Sequence, residues 1–245
     1  MRSTPITAHS IQLTRLGFIN CYLVREAATP AEPDSFTLID TGISGSSDDI
    51  LAAASAADAP IRRILLTHAH IDHVGSVDAL ISRLPHVQLA ASERSLPLLR
   101  IPPDKSLFLG EPGTRGDGNG DAKIKGGLTG IHSVPTHLIA DGELYGSLRC
   151  IATPGHIPGH FSFLDERDGT LFAGDALIAI GRLSICGWTP WYFPSGPFTW
   201  SQSTALASAC RLLSYPIQRF ACGHGPIRTG GIPTLRQAVQ AASSK

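Results

Sequence analysis

The segment THAHIDHVG (residues 67–75) constrains this chain most, because it gathers three histidines and an aspartate within six residues. An apolar, partly β-branched run, RRILL (62–66), precedes it and predicts a buried strand. The following segment, GSVDALISRLP (75–85), has apolar residues at helical spacing and closes on a proline. The polar side chains therefore lie on a strand-to-helix turn, where a stiff scaffold can hold them convergent.

These four side chains are of the types that bind metals. Neutral imidazole and carboxylate are preferred ligands of zinc and of other divalent first-row metals. The alternation of His68 and His70 lets two rings share one metal in an extended turn. Asp72 and His73 follow too closely to join the same tetrahedron comfortably, which suggests a second metal. A solvated, histidine-rich surface loop is the alternative, and the density of such groups argues against it.

Length and composition indicate a globular protein. With 245 residues, 42% hydrophobic and 16% charged, the chain is expected to form a single domain over 1–245. Its 20 basic and 20 acidic residues balance, which argues against nucleic acid or an anionic membrane as the main partner. Five cysteines without a C-x-x-C pair, and the lack of a secretory h-region or a spanning apolar run, predict a cytoplasmic location. We expect a small-molecule substrate, and no oligomeric state follows from the sequence.

Strands and helices alternate along most of the chain. Further strands are predicted in the apolar runs at 19–24, 36–40, 86–91, 148–156, 160–166, 170–177 and 217–225. Further helices are predicted at 48–57 and 199–213, and from Pro233 onward. A glycine-rich insert at about 101–147 interrupts the pattern and is expected to be mobile or an exposed turn. His132 and His137, at its end, are expected on the surface.

Several predicted strands share a design, in which a metal-competent residue directly follows an apolar run. These residues are Asp40, His68, His156, Asp175 and His224. Polar groups at the same ends of neighbouring strands converge on one edge of a sheet, as is usual for sites in α/β folds. A glycine before each of the last three permits unusual backbone angles close to an ion.

The order of these motifs resembles that of a known family. H-x-H-x-D-H (68–73), then TPGH (153–156), AGDAL (173–177) and CGHG (222–225), is similar to the metallo-β-lactamase-fold hydrolase superfamily, in its glyoxalase II and lactonase-like branch. The resemblance covers roughly residues 20–226. It implies an α/β fold, a four-layer αββα sandwich with mixed sheets, and a dinuclear metal site at one edge.

The resemblance also implies a role for each motif residue. His68, His70 and His156 would bind the first metal, Asp72, His73 and His224 the second, and Asp175 would bridge the two. Two Zn²⁺ per chain are expected, with Fe²⁺ or Mn²⁺ as alternatives. Asp72 would also relay a proton in catalysis. Asp40 is expected to orient a ligand, or else to be a helix N-cap or turn residue. His160 either supports the site or is a hydrogen-bonded polar residue at a strand start.

The function implied is hydrolysis of an ester, thioester or lactone carbonyl in a small molecule by a bridging hydroxide. True metallo-β-lactamases often carry Cys or Ser in place of the bridging Asp, and acyl-homoserine lactonases use Tyr where this chain has Ile178. Glyoxalase II has a helical region that the short segment after His224 does not provide. The chain also contains no G-x-S-x-G elbow that would supply a covalent nucleophile. These differences favour a less specialised hydrolase.

Three alternatives remain open from the sequence. His68, His156 and Asp175 alone form a 2-His-1-carboxylate set, which suits a mononuclear iron dioxygenase of the persulfide dioxygenase type. A β-lactam hydrolase and a non-catalytic sensor are the others. An aromatic stretch after Asp175 either lines an acyl pocket or packs as core; its members are Trp188, Trp191, Tyr192 and Phe193.

Overall fold

Two large β-sheets lie face to face in the computed structural model, which describes residues 1–29, 33–108, 124–193 and 195–244. Helices cover the outer face of each sheet. The layer order is therefore helix, sheet, sheet, helix, and the predicted αββα sandwich with mixed sheets is confirmed.

The first sheet holds seven strands that pair in chain order. Its strands are β1 (Arg2–Pro5), β2 (Ser10–Arg15), β3 (Ile19–Glu26), β4 (Ser35–Ile39), β5 (Ile61–Leu65), β6 (Gln88–Ser92) and β7 (His137–Ile139). The strands from β1 to β4 pair antiparallel, and those from β4 to β7 pair parallel. In the parallel half, the carboxyl ends of neighbouring strands meet at one edge.

The second sheet holds six strands in the order β15-β14-β11-β10-β9-β8. Its strands are β8 (Leu144–Tyr145), β9 (Leu148–Ala152), β10 (Phe161–Asp165), β11 (Thr170–Gly174), β14 (Arg219–Cys222) and β15 (Arg228–Thr229). β11 and β14 pair parallel, so their carboxyl ends also meet at one edge. A separate hairpin is formed by β12 (Leu177–Ile178) and β13 (Ser184–Ile185).

The helices are short, apart from three. They are α1 (Ser47–Ala56), α2 (Ile71–Val74), α3 (Val77–Ile81), α4 (Leu96–Leu99), α5 (Gln202–Leu212) and α6 (Gly231–Ser243). Single 3-10 turns occupy Glu93–Ser95, Ser106–Phe108 and Gly196–Phe198. No helix in the described ranges is long and apolar enough to cross a membrane.

Alternation along the strands separates three apolar clusters. In β3, Tyr22 and Val24 point between the sheets, whereas Leu23 points toward the helices that include α1 and α3. Phe163 and Phe172 join the inter-sheet cluster from the second sheet. The third cluster lies between the second sheet and helices α5 and α6. Each sheet is therefore buried on both faces, which explains why many of its strands read as continuous apolar runs.

The described part of the 101–147 insert has more regular structure than expected. Its last third forms β7 and β8, and Ile124 and Ile131 are buried in the core under α1 and α3. Strands of three and two residues are too short to give a sequence pattern, so the sequence did not indicate β7 and β8. His132 is exposed and His137 pairs with Glu143 at 2.7 Å, as surface positions would. Residues 109–123 of the insert lie outside the described residues.

We predict that Phe163→Ala destabilises the protein by about 3–5 kcal/mol, because it opens a cavity between the two sheets. Phe163 is fully buried there. The measurement is chemical denaturation of the variant against the wild type. Leu144→Ala is the matched control, since that side chain is 57% exposed, and should cost less than about 1 kcal/mol. Equal losses for the two variants would contradict this account of the core.

Candidate metal centre

All seven predicted ligands follow strand ends at the same edge of the sandwich. The loop after β5 carries His68 and His70, and α2 carries Asp72 and His73. The second sheet supplies the other three, which follow β9, β11 and β14 respectively: His156, Asp175 and His224. The structure brings these residues together, and their role as ligands stays a prediction.

The first group contains three histidines. His70 Nδ1 lies 3.1 Å from His68 Nε2 and 2.9 Å from His156 Nε2. All three potential ligand atoms lie within 4.8 Å of one another, and all three residues are buried. Three imidazole nitrogens that face one point form half or more of a typical zinc coordination sphere.

The second group contains Asp72, His73 and His224. Asp72 Oδ2 lies 3.3 Å from His224 Nε2 and 3.7 Å from His73 Nε2. These potential ligand atoms also lie within 4.8 Å of one another. One carboxylate and two imidazoles again make a donor set suited to a divalent cation.

Asp175 lies between the two groups. Its Oδ1 is 3.4 Å from His73 Nε2, and its Oδ2 is 3.2 Å from His224 Nε2. The same Oδ2 is 3.4 Å from His156 Nε2, in the first group. One carboxylate therefore faces donor atoms of both groups, which is the arrangement that a bridging ligand requires.

Two buried atoms show that the residues fit a cation. His73 Nε2 and Asp175 Oδ1 are both inaccessible to solvent, and neither has a hydrogen-bond partner within the described part of the chain. A buried polar atom without a partner costs free energy comparable to that of a lost hydrogen bond. A divalent cation would give both atoms a partner, so the donor set is consistent with bound metal.

Hydrogen bonds on the outer nitrogens fix which ring atom faces the centre. The Thr67 hydroxyl donates to Asp40 and so accepts from His68 Nδ1–H, at 3.0 Å. His70 Nε2–H donates to the Lys125 carbonyl at 2.9 Å. His68 therefore presents Nε2 to the centre and His70 presents Nδ1, each with a free lone pair. The Lys125 contact had no sequence signature, because any residue type supplies a backbone carbonyl.

Asp40 braces the second group, as the sequence predicted. Its Oδ2 accepts from His73 Nδ1–H at 2.7 Å and from the Thr67 hydroxyl at 2.7 Å, while Oδ1 accepts from Thr67 N–H at 2.8 Å. Asp40 has φ +58°, a left-handed conformation that Asp tolerates better than most residues. The alternative role as a helix cap is wrong, since α1 begins at Ser47.

His160 supports the backbone of Asp175 and is not a member of either ligand group. Its Nε2 accepts from the Asp175 backbone N–H at 3.0 Å, so its Nδ1–H donates to the Thr153 hydroxyl at 2.9 Å. Burial lowers the pKa of His160 to about 3, which keeps the ring neutral. Gly174 is needed beside it, because a Cβ there would lie 2.7 Å from His160 Nε2.

The two groups differ in their protonation without metal. Burial lowers the pKa values of His68 and His156 well below the ordinary value, so both rings are neutral. Burial also opposes charge on His73 and His224, but the carboxylates, Asp175 foremost, outweigh it. They raise the pKa of His73 to about 9 and that of His224 to about 10. The second group therefore holds protons where it would hold a cation.

A cavity of about 310 Å³ opens onto the centre. Its described lining includes apolar side chains together with Gly126, Gly127 and Ser195; the apolar residues are Phe18, Ile178, Phe193 and Phe198. Of the aromatic stretch considered above, Phe193 lines the cavity, whereas Trp188 packs against the core under α5 and α6. Trp191 and Tyr192 are 88% and 53% exposed, and neither is part of the cavity lining. Sequence reasoning missed two aromatic residues of the lining. Phe18 is distant in the chain from the ligand motifs, and Phe198 ends the 3-10 turn Gly196–Phe198.

Together with this geometry, comparison with known proteins identifies the class. The family model of the metallo-beta-lactamase superfamily matches residues 14–224, and the chain belongs to this superfamily. Three predictions are thereby confirmed: the superfamily, the fold, and the enzyme class, a metal-dependent hydrolase.

Similar proteins come from several bacteria. Uncharacterized protein YobT of Bacillus subtilis (strain 168) is 42% identical over 226 residues, which cover 91% of this chain and 90% of that protein. Probable metallo-hydrolase YflN of the same organism is 29% identical and covers 86% of this chain and 82% of its own length. Hydroxyacylglutathione hydrolase of Legionella pneumophila (strain Lens) is 29% identical over 141 residues, which are 56% of this chain and 42% of that enzyme.

A solved structure agrees over nearly the whole chain. TTHA1623, crystallised in a di-iron-bound form, is 27% identical, with a TM-score of 0.64. The match covers 93% of this chain and 96% of that one. This likeness extends the family assignment to the arrangement of the whole sandwich.

We predict that metal binding to the second group releases protons. At pH 7 the raised pKa values of His73, about 9, and His224, about 10, keep both rings protonated without metal. A cation there must displace about two protons, whereas a cation on the neutral first group displaces none. Affinity for the second ion should therefore rise with pH up to about 9 and level off above about 10.

Calorimetric zinc titration of the metal-free protein, in buffers of different ionisation enthalpy, measures this release. His224→Ala should reduce the proton release by about one. If proton release per ion were equal for both ions and unchanged in His224→Ala, the protonation scheme would be wrong.

Proposed function

We propose that this protein is a dinuclear-metal hydrolase that cleaves an ester, thioester or lactone bond in a small molecule with an apolar acyl group. The observation that carries the proposal is the position of Asp175, whose carboxylate oxygens lie within 3.4 Å of ring nitrogens from both groups. A carboxylate shared in this way favours a site that binds two neighbouring cations, not a site that binds one.

The two groups define which residues would hold each cation. His68, His70 and His156 would hold one, Asp72, His73 and His224 the other, and Asp175 both. Bound together, two divalent cations would supply a water that ionises near neutral pH and a Lewis acid for the substrate carbonyl. We propose zinc as the physiological metal, and the donor set suits iron as well.

Asp72 is the residue that we propose to move the proton. Its carboxylate borders the cavity and is the most exposed of the ligand side chains, at 26%. Nearby charge on His73 and the hydrogen bond from His224 outweigh the effect of burial, and they hold the pKa of Asp72 well below its usual range. That low pKa keeps Asp72 ionised, so its Oδ2 is free to take up the proton that water loses on attack. Because the carboxylate is a weak base, it would then readily give this proton up to the leaving oxygen or sulfur. No covalent bond to the protein forms in this scheme.

The cavity supports an uncharged, apolar acyl group as the substrate. Phe18 and Phe193 meet edge to face at 6.3 Å between ring centroids, and both lie beside the His224 ring. Phe198 and Ile178 extend this apolar wall. Among the described residues that line the cavity, none is a lysine or an arginine that would pair with an anionic substrate. A volume of about 310 Å³ suits a small ligand.

We predict that Phe193→Ala raises KM for esters with apolar acyl chains about tenfold or more, because a buried aromatic contact of about 1.5–3 kcal/mol is lost. Hydrolysis of acetyl and longer acyl esters of one chromogenic alcohol measures the effect. KM for the acetyl ester should change much less. Trp191→Ala is the matched control, since that exposed ring is not part of the cavity lining. Equal changes in KM for the two variants would show that Phe193 does not contact the acyl group.

We predict that Asp175→Asn loosens both metals and abolishes most hydrolysis, because it removes the negative charge that both groups share. Elemental analysis after purification and dialysis measures metal content, which should fall from two ions per chain to fewer than one. His68→Ala should likewise lose hydrolytic activity. Unchanged metal content in Asp175→Asn would contradict a bridging role. Oxygen consumption by the iron-loaded wild type, with no ester hydrolysis, would point instead to an iron dioxygenase.

A further inference from the structure

His224 is a predicted ligand whose outer nitrogen is not held by hydrogen bonding. Its Nδ1 is buried and has no hydrogen-bond partner in the described ranges, as is also the case for His156 Nδ1, whereas the outer nitrogens of His68, His70 and His73 are all bonded. A ligand ring usually needs such a contact to fix its orientation. Some other contact must therefore fix His224.

The backbone on both sides of His224 is held by one buried side chain, that of Asn20. Asn20 Nδ2 donates to the Cys222 carbonyl at 2.9 Å and to the Gly225 carbonyl at 2.7 Å. Both protons of the amide are thereby used, one on each side of the histidine. The Asn20 backbone N–H also donates to the Gly223 carbonyl at 2.9 Å. The loop 222–225 is thus bonded to Asn20 at three of its four residues.

The Asn20 amide is itself fixed in position. Its Oδ1 accepts from the Thr14 hydroxyl at 2.9 Å, and the side chain is fully buried. The neighbouring residue Ile19 forms an isolated β-bridge with His224. Asn20 therefore lies on a rigid strand pair, β2 and β3, and offers its two donors in a set direction.

This contact crosses from one sheet to the other. Asn20 lies on β3 of the first sheet, whereas His224 follows β14 of the second. Asp72 and His73 follow β5, in the first sheet. The three residues of the second group come together only if the two sheets keep their relative position at this edge. The Asn20 amide links the sheets there.

We propose that Asn20 is a positioning residue for His224, and that it sets the affinity of the second group for its divalent cation. This inference rests on the proposed function, since it takes Asp72, His73 and His224 to hold a metal. Asn20 acts through the backbone of the 222–225 loop and contacts neither metal nor substrate.

The fold is expected to survive removal of the Asn20 side chain. Each carbonyl that Asn20 contacts accepts a second hydrogen bond from another residue. The Tyr22 hydroxyl donates to Cys222 at 2.5 Å, and Gln12 Nε2 donates to Gly225 at 3.2 Å. Neither carbonyl is therefore left without a partner in Asn20→Ala. We expect the substitution to change the position of the loop more than the stability of the fold.

The test is a stepwise zinc titration of metal-free protein in competition with a chromogenic chelator. In Asn20→Ala, the Kd for the ion at the second group should rise about 10-fold to 100-fold, and the Kd for the other ion should change by less than about twofold. His70→Ala and His224→Ala identify which step belongs to which group. Thr14→Val is the matched control, because it removes the other hydrogen bond of Asn20 and leaves the loop contacts in place. Because the amide loses one anchor but keeps both loop contacts, the Kd for the ion at the second group should rise much less than in Asn20→Ala.

Three results would overturn the inference. Unchanged Kd values in Asn20→Ala would show that the Phe18 and Phe193 rings beside His224 suffice to hold it. Equal weakening of both ions, accompanied by a lower melting temperature, would show a general loss of structure. Equal effects in Thr14→Val would mean that the network as a whole matters and not the two loop contacts. Wild-type protein that binds fewer than two ions would instead overturn the proposed function, and this inference with it.

Discussion

The structure depends on a buried carboxylate, that of Asp175, surrounded by imidazole nitrogens. A charged group inside a protein is costly unless it is paired, and at this position three ring nitrogens lie within 3.4 Å of its oxygens. In the metal-free chain, protons on His73 and His224 supply the compensating charge. The proposed cations, once bound there, would replace these protons and supply the compensating charge instead.

The rest of the sandwich serves to hold that arrangement. The candidate ligands come from both sheets, so the inter-sheet core around Phe163 and Phe172 sets the distance between the two halves of the site. Close packing allows little adjustment there. Around the candidate ligands, contacts with no catalytic chemistry orient three of the five rings: Asp40 on His73, Thr67 on His68, and the Lys125 carbonyl on His70. His160 does the same for the backbone of Asp175.

The seven candidate ligands could be predicted because they depend on residue type in a local pattern, whereas the αββα sandwich was implied by the resemblance of the ordered motifs to a known family. An apolar run followed by His or Asp can be seen without knowledge of the partner strand, as at His156 and Asp175. The contacts that support these ligands could not be found in this way. Lys125 acts through its backbone, and Asn20 acts over about 200 positions of chain. The short strands β7 and β8 could not be predicted for a different reason, because they have too few residues to show a hydrophobic period.

The central claim is that two cations share Asp175 between two groups of ligands. Anomalous X-ray diffraction at the zinc edge, from crystals grown with two equivalents of zinc per chain, tests it most directly. The account predicts two peaks about 3.5–4 Å apart, one among His68, His70 and His156 and the other among Asp72, His73 and His224, with Asp175 between them. A single peak, or peaks away from these residues, would contradict it.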